Sequence, residues 1–131
     1  MNGGANIKVT KLECSPDRLD TLRGNIAKWT DREHSAAVTV PGVFLFRREA
    51  VSPPEAVMYE PCICLLAQGA KRVYSGHRSF VYDSRRFLAA VVDIPTVVQV
   101  IEASPEKPCL GVVLAIDRRD VSQLMLDSRI A

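Results

Sequence analysis

Between residues 16 and 30 the hydrophobic positions recur at intervals of three and four, which is the spacing of one face of an α-helix. Ser15 precedes this segment and Pro16 begins it. Serine is a preferred N-cap residue, and proline is favoured at the first helical position. The pattern therefore predicts an amphipathic helix over about 16–30 whose apolar stripe lies against the rest of the domain. The stripe consists of Leu19, Leu22, Ile26 and Trp29.

From about residue 37 to residue 116 the pattern changes to short runs of β-branched and aromatic residues separated by turn residues. Such runs, closely spaced and without helices between them, are typical of an antiparallel all-β domain, either closed or built from two sheets. Turns are predicted at dipeptides such as Pro41-Gly42, Gln68-Gly69 and Ser75-Gly76. The predicted strands are Val38–Val40, Val43–Phe46, Cys62–Ala67, Val73–Tyr74, Ser79–Tyr82, Phe87–Val92, Val97–Ile101 and Leu110–Ile116.

The two ends of the chain carry weaker patterns. Residues 1–14 begin with a segment rich in glycine and asparagine and are interpreted as a flexible terminus. After Asp117, a candidate helix cap, helical spacing returns and predicts a second helix over about 118–127. No second core is indicated, so residues 15–131 are expected to form one domain. The apolar face of the second helix consists of Val121, Leu124 and Met125.

Composition and charge restrict the class of function. Of the 131 residues 47% are hydrophobic and 24% charged, and 17 basic against 15 acidic residues leave a formal charge of +2. So small an excess of positive charge does not predict a nucleic-acid surface. No apolar run is long enough to span a bilayer, and the first residues do not resemble a signal peptide. With four cysteines in a domain large enough to form its own core, this predicts a cytoplasmic protein with reduced thiols.

The histidines give little support for metal or catalytic chemistry. A mononuclear metal centre in a small β-barrel draws several histidines and a carboxylate from adjacent strands, but this chain has only His34 and His77. A Ser-His-Asp order, a phosphate-binding glycine loop and a catalytic carboxylate pair are also missing from the sequence. We therefore predict no metal, no cofactor and no catalytic residue. His77 is interpreted as an exposed residue at a hairpin tip.

Two consecutive arginines end one of the predicted strands. Alternation places Arg47 on one face of this strand, and Phe46 and Arg48 on the other. One arginine is expected to follow an apolar face to the mouth of the barrel, where it could bind a carboxylate or a hydroxylated ligand, and Arg47 is the favoured candidate. The alternative is an arginine at the rim that only covers apolar surface.

Two cysteines lie on the longest apolar strand. Cys62 and Cys64 are two residues apart, so their side chains point to the same face. A disulfide between them is unfavourable, because residues i and i+2 of an extended strand lie near the limit of the permitted Cα separation. Two small apolar residues facing the core or a cavity are the main interpretation, and a redox- or electrophile-sensing thiol is the alternative.

Several short motifs occur in a fixed order along the predicted strands: Tyr59-Glu60-Pro61, Gln68-Gly69-x-Lys71, Tyr82-Asp83, Phe87-Leu88, Asp93-x-Pro95 and Glu102-Ala103-Ser104-Pro105-Glu106-x-Pro108. In this order and spacing they resemble the N-terminal domain of AraC-type transcriptional regulators. The resemblance extends from Thr39 to Leu126. His77 departs from the family pattern, which more often has a small polar or acidic residue at this hairpin tip.

The resemblance implies a cupin-like double-stranded β-helix that senses a small-molecule effector and contributes to a homodimer. In that family a C-terminal helix-turn-helix domain binds DNA. The 131 residues contain no glycine turn between two amphipathic helices, so the chain is interpreted as an isolated regulatory domain that is not an enzyme. Two alternatives remain: a stand-alone cupin enzyme, and a dimerisation module with a filled interior.

An effector site in such a domain is expected inside the barrel. A closed barrel of about eight strands has room for one small ligand, and only one face of each strand reaches its interior. The site should therefore be a mostly apolar cavity with a few polar groups. The candidate lining residues are Phe46, Arg47, Tyr59, Cys62, Cys64 and Tyr82.

Overall fold

Most of the described chain consists of β-strands. The computed structural model describes residues 7–31, 35–37, 41–117 and 119. The mainly β class predicted from the sequence is confirmed. The elements are β1 (Ile7–Lys11), α1 (Pro16–Trp29), β2 (Ser35–Ala37), β3 (Val43–Arg48), β4 (Glu55–Tyr59), β5 (Cys62–Gln68), β6 (Ala70–Ser75), β7 (Arg78–Tyr82), β8 (Arg86–Ala90), β9 (Ile94–Glu102) and β10 (Cys109–Ala115).

The strands form two antiparallel sheets. The larger sheet has six strands in the order β1-β8-β5-β10-β3-β2, and the smaller sheet has four in the order β4-β9-β6-β7. The sheets pack face to face, since one cluster of buried side chains contains residues of both. Alternation along the strands supplies this cluster: Cys64 and Leu66 point inwards from β5, and Val98 and Val100 point inwards from β9.

Helix α1 covers the outer face of the larger sheet. The Ser15 side chain caps its N terminus by accepting a hydrogen bond from the backbone amide of Arg18 at 3.3 Å. Ile26 is 1% exposed and belongs to a second buried cluster that includes Leu45 of β3 and Leu110 of β10. The larger sheet is therefore apolar on both faces, one against the smaller sheet and one against the helix.

One residue of the predicted helical stripe lies outside this contact. Trp29 is 63% exposed, whereas Thr30 is buried. Successive residues of a helix are rotated by about 100°, so Thr30 falls near the centre of the buried stripe and Trp29 at its edge. The predicted helix is confirmed at Pro16–Trp29, but the expected contact of Trp29 with the strands is wrong.

The N-terminal segment is more ordered than the sequence suggested. Within residues 1–14, which were expected to form a flexible terminus, Ile7–Lys11 form β1 and pair antiparallel with β8. Ile7 is 1% exposed, and Val9 packs against the core between the sheets. The apolar residues of β1 alternate with polar ones, but the pattern is too short to stand out beside the neighbouring glycines.

The sequence also missed β4, an edge strand of the smaller sheet. Prolines flank β4, and only Val57 and Tyr59 within it are half-buried, so its pattern resembles a loop. The predicted strand Val38–Val40 and the predicted helix over 118–127 lie outside the described residues. His77 is exposed between β6 and β7, as expected for a hairpin tip.

Gly69 turns the chain from the larger sheet into the smaller one. It stands between Gln68, the last residue of β5, and Ala70, the first of β6. Its φ of +88° is one that residues with a Cβ rarely adopt. A Cβ at this position would also lie 2.8 Å from the Cα of Cys109 and from the carbonyl oxygen of Glu102. The turn predicted at Gln68-Gly69 is thus the corner that joins the two sheets.

Candidate functional site

A cavity of about 420 Å³ lies between the two sheets. Its walls come from β3, β5 and β10 of the larger sheet and from β4, β6, β7 and β9 of the smaller sheet. This volume falls within the range of about 300–1,000 Å³ that is common for small-molecule sites. The lining residues are Phe44, Leu45, Phe46, Arg48, Ser52, Glu55, Val57, Tyr59, Cys64, Lys71, Tyr82, Val98, Val100 and Val113.

The cavity has an exposed end and a buried end. Arg48 and Glu55 are exposed and mark its mouth, whereas Tyr82 is 1% and Cys64 is 2% exposed. Lys71 is half-buried. Charged groups therefore stand at the entrance, and polar groups farther inside are few and largely removed from water.

The hydroxyl group of Tyr82 is buried, and no hydrogen-bond partner for it lies among the described residues. Burial raises the pKa of this phenol well above its ordinary value, and the neighbouring Tyr59 contributes to the shift. Burial likewise raises the pKa of Tyr59. Tyr82 is therefore a neutral hydrogen-bond donor inside the cavity. The Tyr59 hydroxyl is near enough to affect its pKa, but no acceptor among the described residues lies within hydrogen-bond distance of it.

Lys71 places an ammonium group beside the same cavity. Its Nζ lies 4.0 Å from the centroid of the Phe46 ring, in a cation–π contact. Within the part of the chain that the structure describes, no carboxylate forms a salt bridge with Lys71. Burial lowers the pKa of Lys71, because the charged form loses hydration. The side chain is a partly desolvated cation whose direct contact among the described residues is the Phe46 ring.

Lys71 and Tyr82 are direct cross-strand neighbours. In the antiparallel pairing of β6 with β7, these two residues stand opposite each other. Opposite residues of an antiparallel pair have Cβ atoms about 4.5–5.5 Å apart and side chains on the same face. The register thus brings an ammonium group and a phenol to one point of the cavity wall.

Arg47 does not line the cavity, contrary to the expectation from sequence. It lies on the opposite face of β3 and donates hydrogen bonds to the carbonyl oxygen of Ala27 at 2.8 Å and to the hydroxyl of Thr30 at 3.3 Å. Its guanidinium also lies 3.7 Å from the carboxylate of Glu49. Arg47 therefore holds the C-terminal turn of α1 against β3, and Arg48 occupies the cavity mouth.

Cys62 and Cys64 are buried on one face of β5, as alternation predicts. Their sulfur atoms are 3.8 Å apart, and both thiols are free. Cys64 lines the cavity, whereas Cys62 lies beside it in the core. The contact with Cys62, together with burial, raises the pKa of the Cys64 thiol. This environment supports the interpretation as small core residues, while the sensing role stays a prediction.

The structure brings together four of the six residues expected at the site: Phe46, Tyr59, Cys64 and Tyr82. Sequence reasoning missed the charged members Lys71, Arg48 and Glu55. One signal was available for Lys71, because it is separated by two positions from the fully buried Val73 and therefore shares its inward face.

Two features do not occur among the described residues. No group of three or more His, Cys, Asp or Glu side chains is arranged so as to hold a metal ion there. No helix within residues 7–31, 35–37 and 41–117 is both long and apolar enough to cross a membrane.

Comparison with known proteins identifies the family. Residues 39–131 match the family described as AraC-type transcriptional regulator N-terminus. No significant match was found among curated proteins or among solved structures. The family match includes β3 to β10 and therefore all the strands that line the cavity. Because it spans well over half of the 131 residues, the chain belongs to the family of AraC-type transcriptional regulator N-termini and is a regulatory domain of that class of transcription factor.

Proposed function

We propose that this domain binds a small-molecule effector in the cavity between its sheets and thereby regulates the transcription factor. The observation that carries the proposal is the unpartnered Tyr82 hydroxyl at the buried end of a cavity of about 420 Å³. A buried hydroxyl without a partner costs about 1–3 kcal/mol, and a ligand that accepts its hydrogen bond recovers that free energy. A dimerisation module with a filled interior would have no such cavity.

The proposal extends to the detailed fold and the partners of the domain. Two packed antiparallel sheets support a cupin-like jelly roll, the finer form of the observed β class. A separate helix-turn-helix domain would bind DNA, and this domain would have no enzymatic activity. The free state of Cys14, Cys62, Cys64 and Cys109 agrees with action in the cytoplasm.

Dimerisation is part of the same proposal. It was inferred from an apolar helical face that needs a cover, formed by Val121, Leu124 and Met125. These residues lie outside the described part of the chain. The proposal that copies of the domain form a homodimer thus rests on the sequence pattern.

Thermal unfolding in the presence of a chemically diverse set of small molecules tests effector binding. A ligand that binds only the folded domain stabilises it by RT ln(1 + [L]/Kd), so the melting temperature should rise with saturation. Val98→Phe places a larger side chain at the cavity wall and should abolish the rise. Val91→Phe, at a position that is 39% exposed and away from the cavity, should retain it.

Either of two results would overturn the proposal. One is that no compound changes the melting temperature of the unmodified domain. The other is a ligand whose effect is equal in Val98→Phe and in the unmodified protein, because such a ligand binds outside the cavity. Circular dichroism of both variants controls for loss of the β structure.

A further inference from the structure

We infer that the effector is an organic monoanion, with a carboxylate that binds between Lys71 and Tyr82 and an apolar body that fills the rest of the cavity. This inference rests on the proposed function and names the chemical class of its ligand. It follows from four observations: the two unpartnered donors, their register, the charges around the cavity and its apolar lining.

The first observation is that two donors lack acceptors. The ammonium of Lys71 has no salt bridge within the described chain, and the hydroxyl of Tyr82 has no hydrogen bond. Removing a cation or a hydroxyl from water without a partner is unfavourable. The contact of Lys71 with the Phe46 ring offsets only part of this cost, since a cation–π contact contributes about 0.5–2 kcal/mol. Both groups can therefore bind an acceptor that the described residues do not supply.

The second observation is that one ligand group can satisfy both donors. Lys71 and Tyr82 are paired residues of β6 and β7, so their side chains leave the sheet side by side on one face. A carboxylate has two oxygens with about four acceptor positions. It can accept from the ammonium with one oxygen and from the phenol with the other. Hydrogen bonds that involve a charged partner are roughly twice as strong as neutral ones.

The third observation is the balance of charge around the cavity. Among the described residues, its lining contains two cations, Arg48 and Lys71, and one anion, Glu55. The sum is one positive charge, which a monoanion neutralises. A phosphate monoester carries nearly two negative charges and would leave an excess in a cavity of low polarity. Arg48 stands at the exposed mouth, where it can attract an anion before the inner donors bind it.

The fourth observation is the apolar character of the remaining wall. Valines of β4, β9 and β10 and the rings of β3 surround the rest of the space. Such a wall stabilises hydrocarbon or aromatic groups by removing them from water, at about 25 cal/mol per Å² of apolar area. The ligand is therefore an aliphatic or aromatic acid in preference to a sugar or another polyhydroxylated compound.

Binding of matched acids and amides tests the inference. Octanoate, phenylacetate and benzoate are titrated into the domain by calorimetry, each beside its primary amide and the corresponding primary amine. We expect at least one carboxylate to bind and to raise the melting temperature, while its amide binds at least tenfold more weakly. The loss corresponds to one charge-assisted hydrogen bond.

Variants at the paired residues connect the binding to this site. Lys71→Met and Tyr82→Phe should each reduce the affinity for the carboxylate at least tenfold, and Lys71→Met should also remove the preference for acid over amide. Lys8→Met and Tyr74→Phe change an exposed lysine of β1 and a tyrosine outside the cavity, and both should leave the affinity unchanged. Circular dichroism and unfolding curves verify that each variant folds.

The possible results separate the inference from the proposed function. If amides or amines bind as tightly as the acids and Val98→Phe abolishes their binding, the cavity is an effector site but the anion inference is wrong. If none of the acids binds, or if Lys71→Met leaves acid binding unchanged, the inference is also overturned. If neither these probes nor the diverse set of compounds binds, the proposed function fails together with it.

Discussion

At the scale of single residues, the hydroxyl of Tyr82 lowers the stability of the ligand-free domain and provides a hydrogen-bond donor for a ligand. Its hydroxyl is buried without a hydrogen bond, while its ring packs in the core between the sheets. Tyr82→Phe removes the hydroxyl and keeps the ring. We expect the free energy of unfolding of the ligand-free domain to rise by about 1 kcal/mol, since the desolvation cost of the hydroxyl disappears. Urea unfolding of the two proteins measures the difference, and a decrease in the variant would show that the hydroxyl has a partner.

Lys71 should make the stability of the ligand-free domain depend on alkaline pH. Burial lowers its pKa below the ordinary 10.5; Arg48 adds to this shift, whereas Cys109, Cys64 and Glu55 oppose it. Between the lowered pKa and 10.5 the unfolded chain binds more protons than the folded one. The contribution of Lys71 to the free energy of unfolding therefore increases as the pH rises through this window.

The comparison with Lys71→Met isolates this contribution. Raised pKa values of the buried cysteines and tyrosines act in the opposite direction, but they are present in both proteins. Relative to the variant, the unmodified domain should become more stable as the pH rises from the lowered pKa of Lys71 towards 10.5. Urea unfolding across this range checks the trend. A difference that stays constant with pH would contradict it, and Lys8→Met is the control for a lysine exposed to solvent.

At the scale of elements, alternation predicted which side chains share a face, but not which face points inwards. On β3 it placed Phe46 and Arg48 together and Arg47 opposite them, which the structure confirms. Both faces of this strand are apolar, because one meets the smaller sheet and the other meets α1. The pattern of β3 alone therefore could not decide which arginine reaches the cavity.

Lys71 was missed because its position depends on contacts that are distant in sequence. A lysine near the start of a strand is usually exposed. Here Gly69 turns the chain sharply between the sheets, and β6 then pairs with β7 on one side and β9 on the other. The local pattern places Lys71 on the same face as Val73, but it is these pairings that enclose the side chain beside the Phe46 ring.

Gly111 of β10 controls the space that the Phe46 ring occupies. The two residues are paired between β10 and β3, and a Cβ on Gly111 would clash with the ring. It would also lie 2.8 Å from the carbonyl oxygen of Leu65. Gly111→Ala should therefore destabilise the domain by about 1–3 kcal/mol and move the ring into the cavity, which weakens ligand binding.

Gly24→Ala provides the matched control for this prediction. Gly24 lies in α1, and a Cβ there meets nothing within 4 Å. The same substitution should therefore stabilise the domain by about 0.5–1 kcal/mol, through the higher helix propensity of alanine. Thermal and urea unfolding of both variants measure the two effects. Equal stability of Gly111→Ala and the unmodified protein would mean that the ring is not confined as described.

At the scale of the whole molecule, the fold class followed from the sequence and the arrangement of sheets did not. Short apolar runs and frequent turns are local features, and they predicted a mainly β domain with an N-terminal helix. The sheets depend on pairings between remote strands, such as β1 with β8 and β10 with both β3 and β5. Such pairings cannot be predicted from the local pattern of a single sequence. The position of the cavity could therefore be found only from the structure.

The two arginines of β3 connect the inside of the domain with its outer surface. Arg48 stands at the cavity mouth, and its neighbour Arg47 holds the last turn of α1 through Ala27 and Thr30. A single peptide bond therefore separates the residue at the cavity mouth from the residue that contacts the helix end. Trp29 lies in that turn, is 63% exposed and is the one tryptophan of the sequence. The domain thus carries a natural fluorophore beside the helix end that Arg47 contacts, and a change of its emission on addition of a ligand would be an outside readout of cavity occupancy.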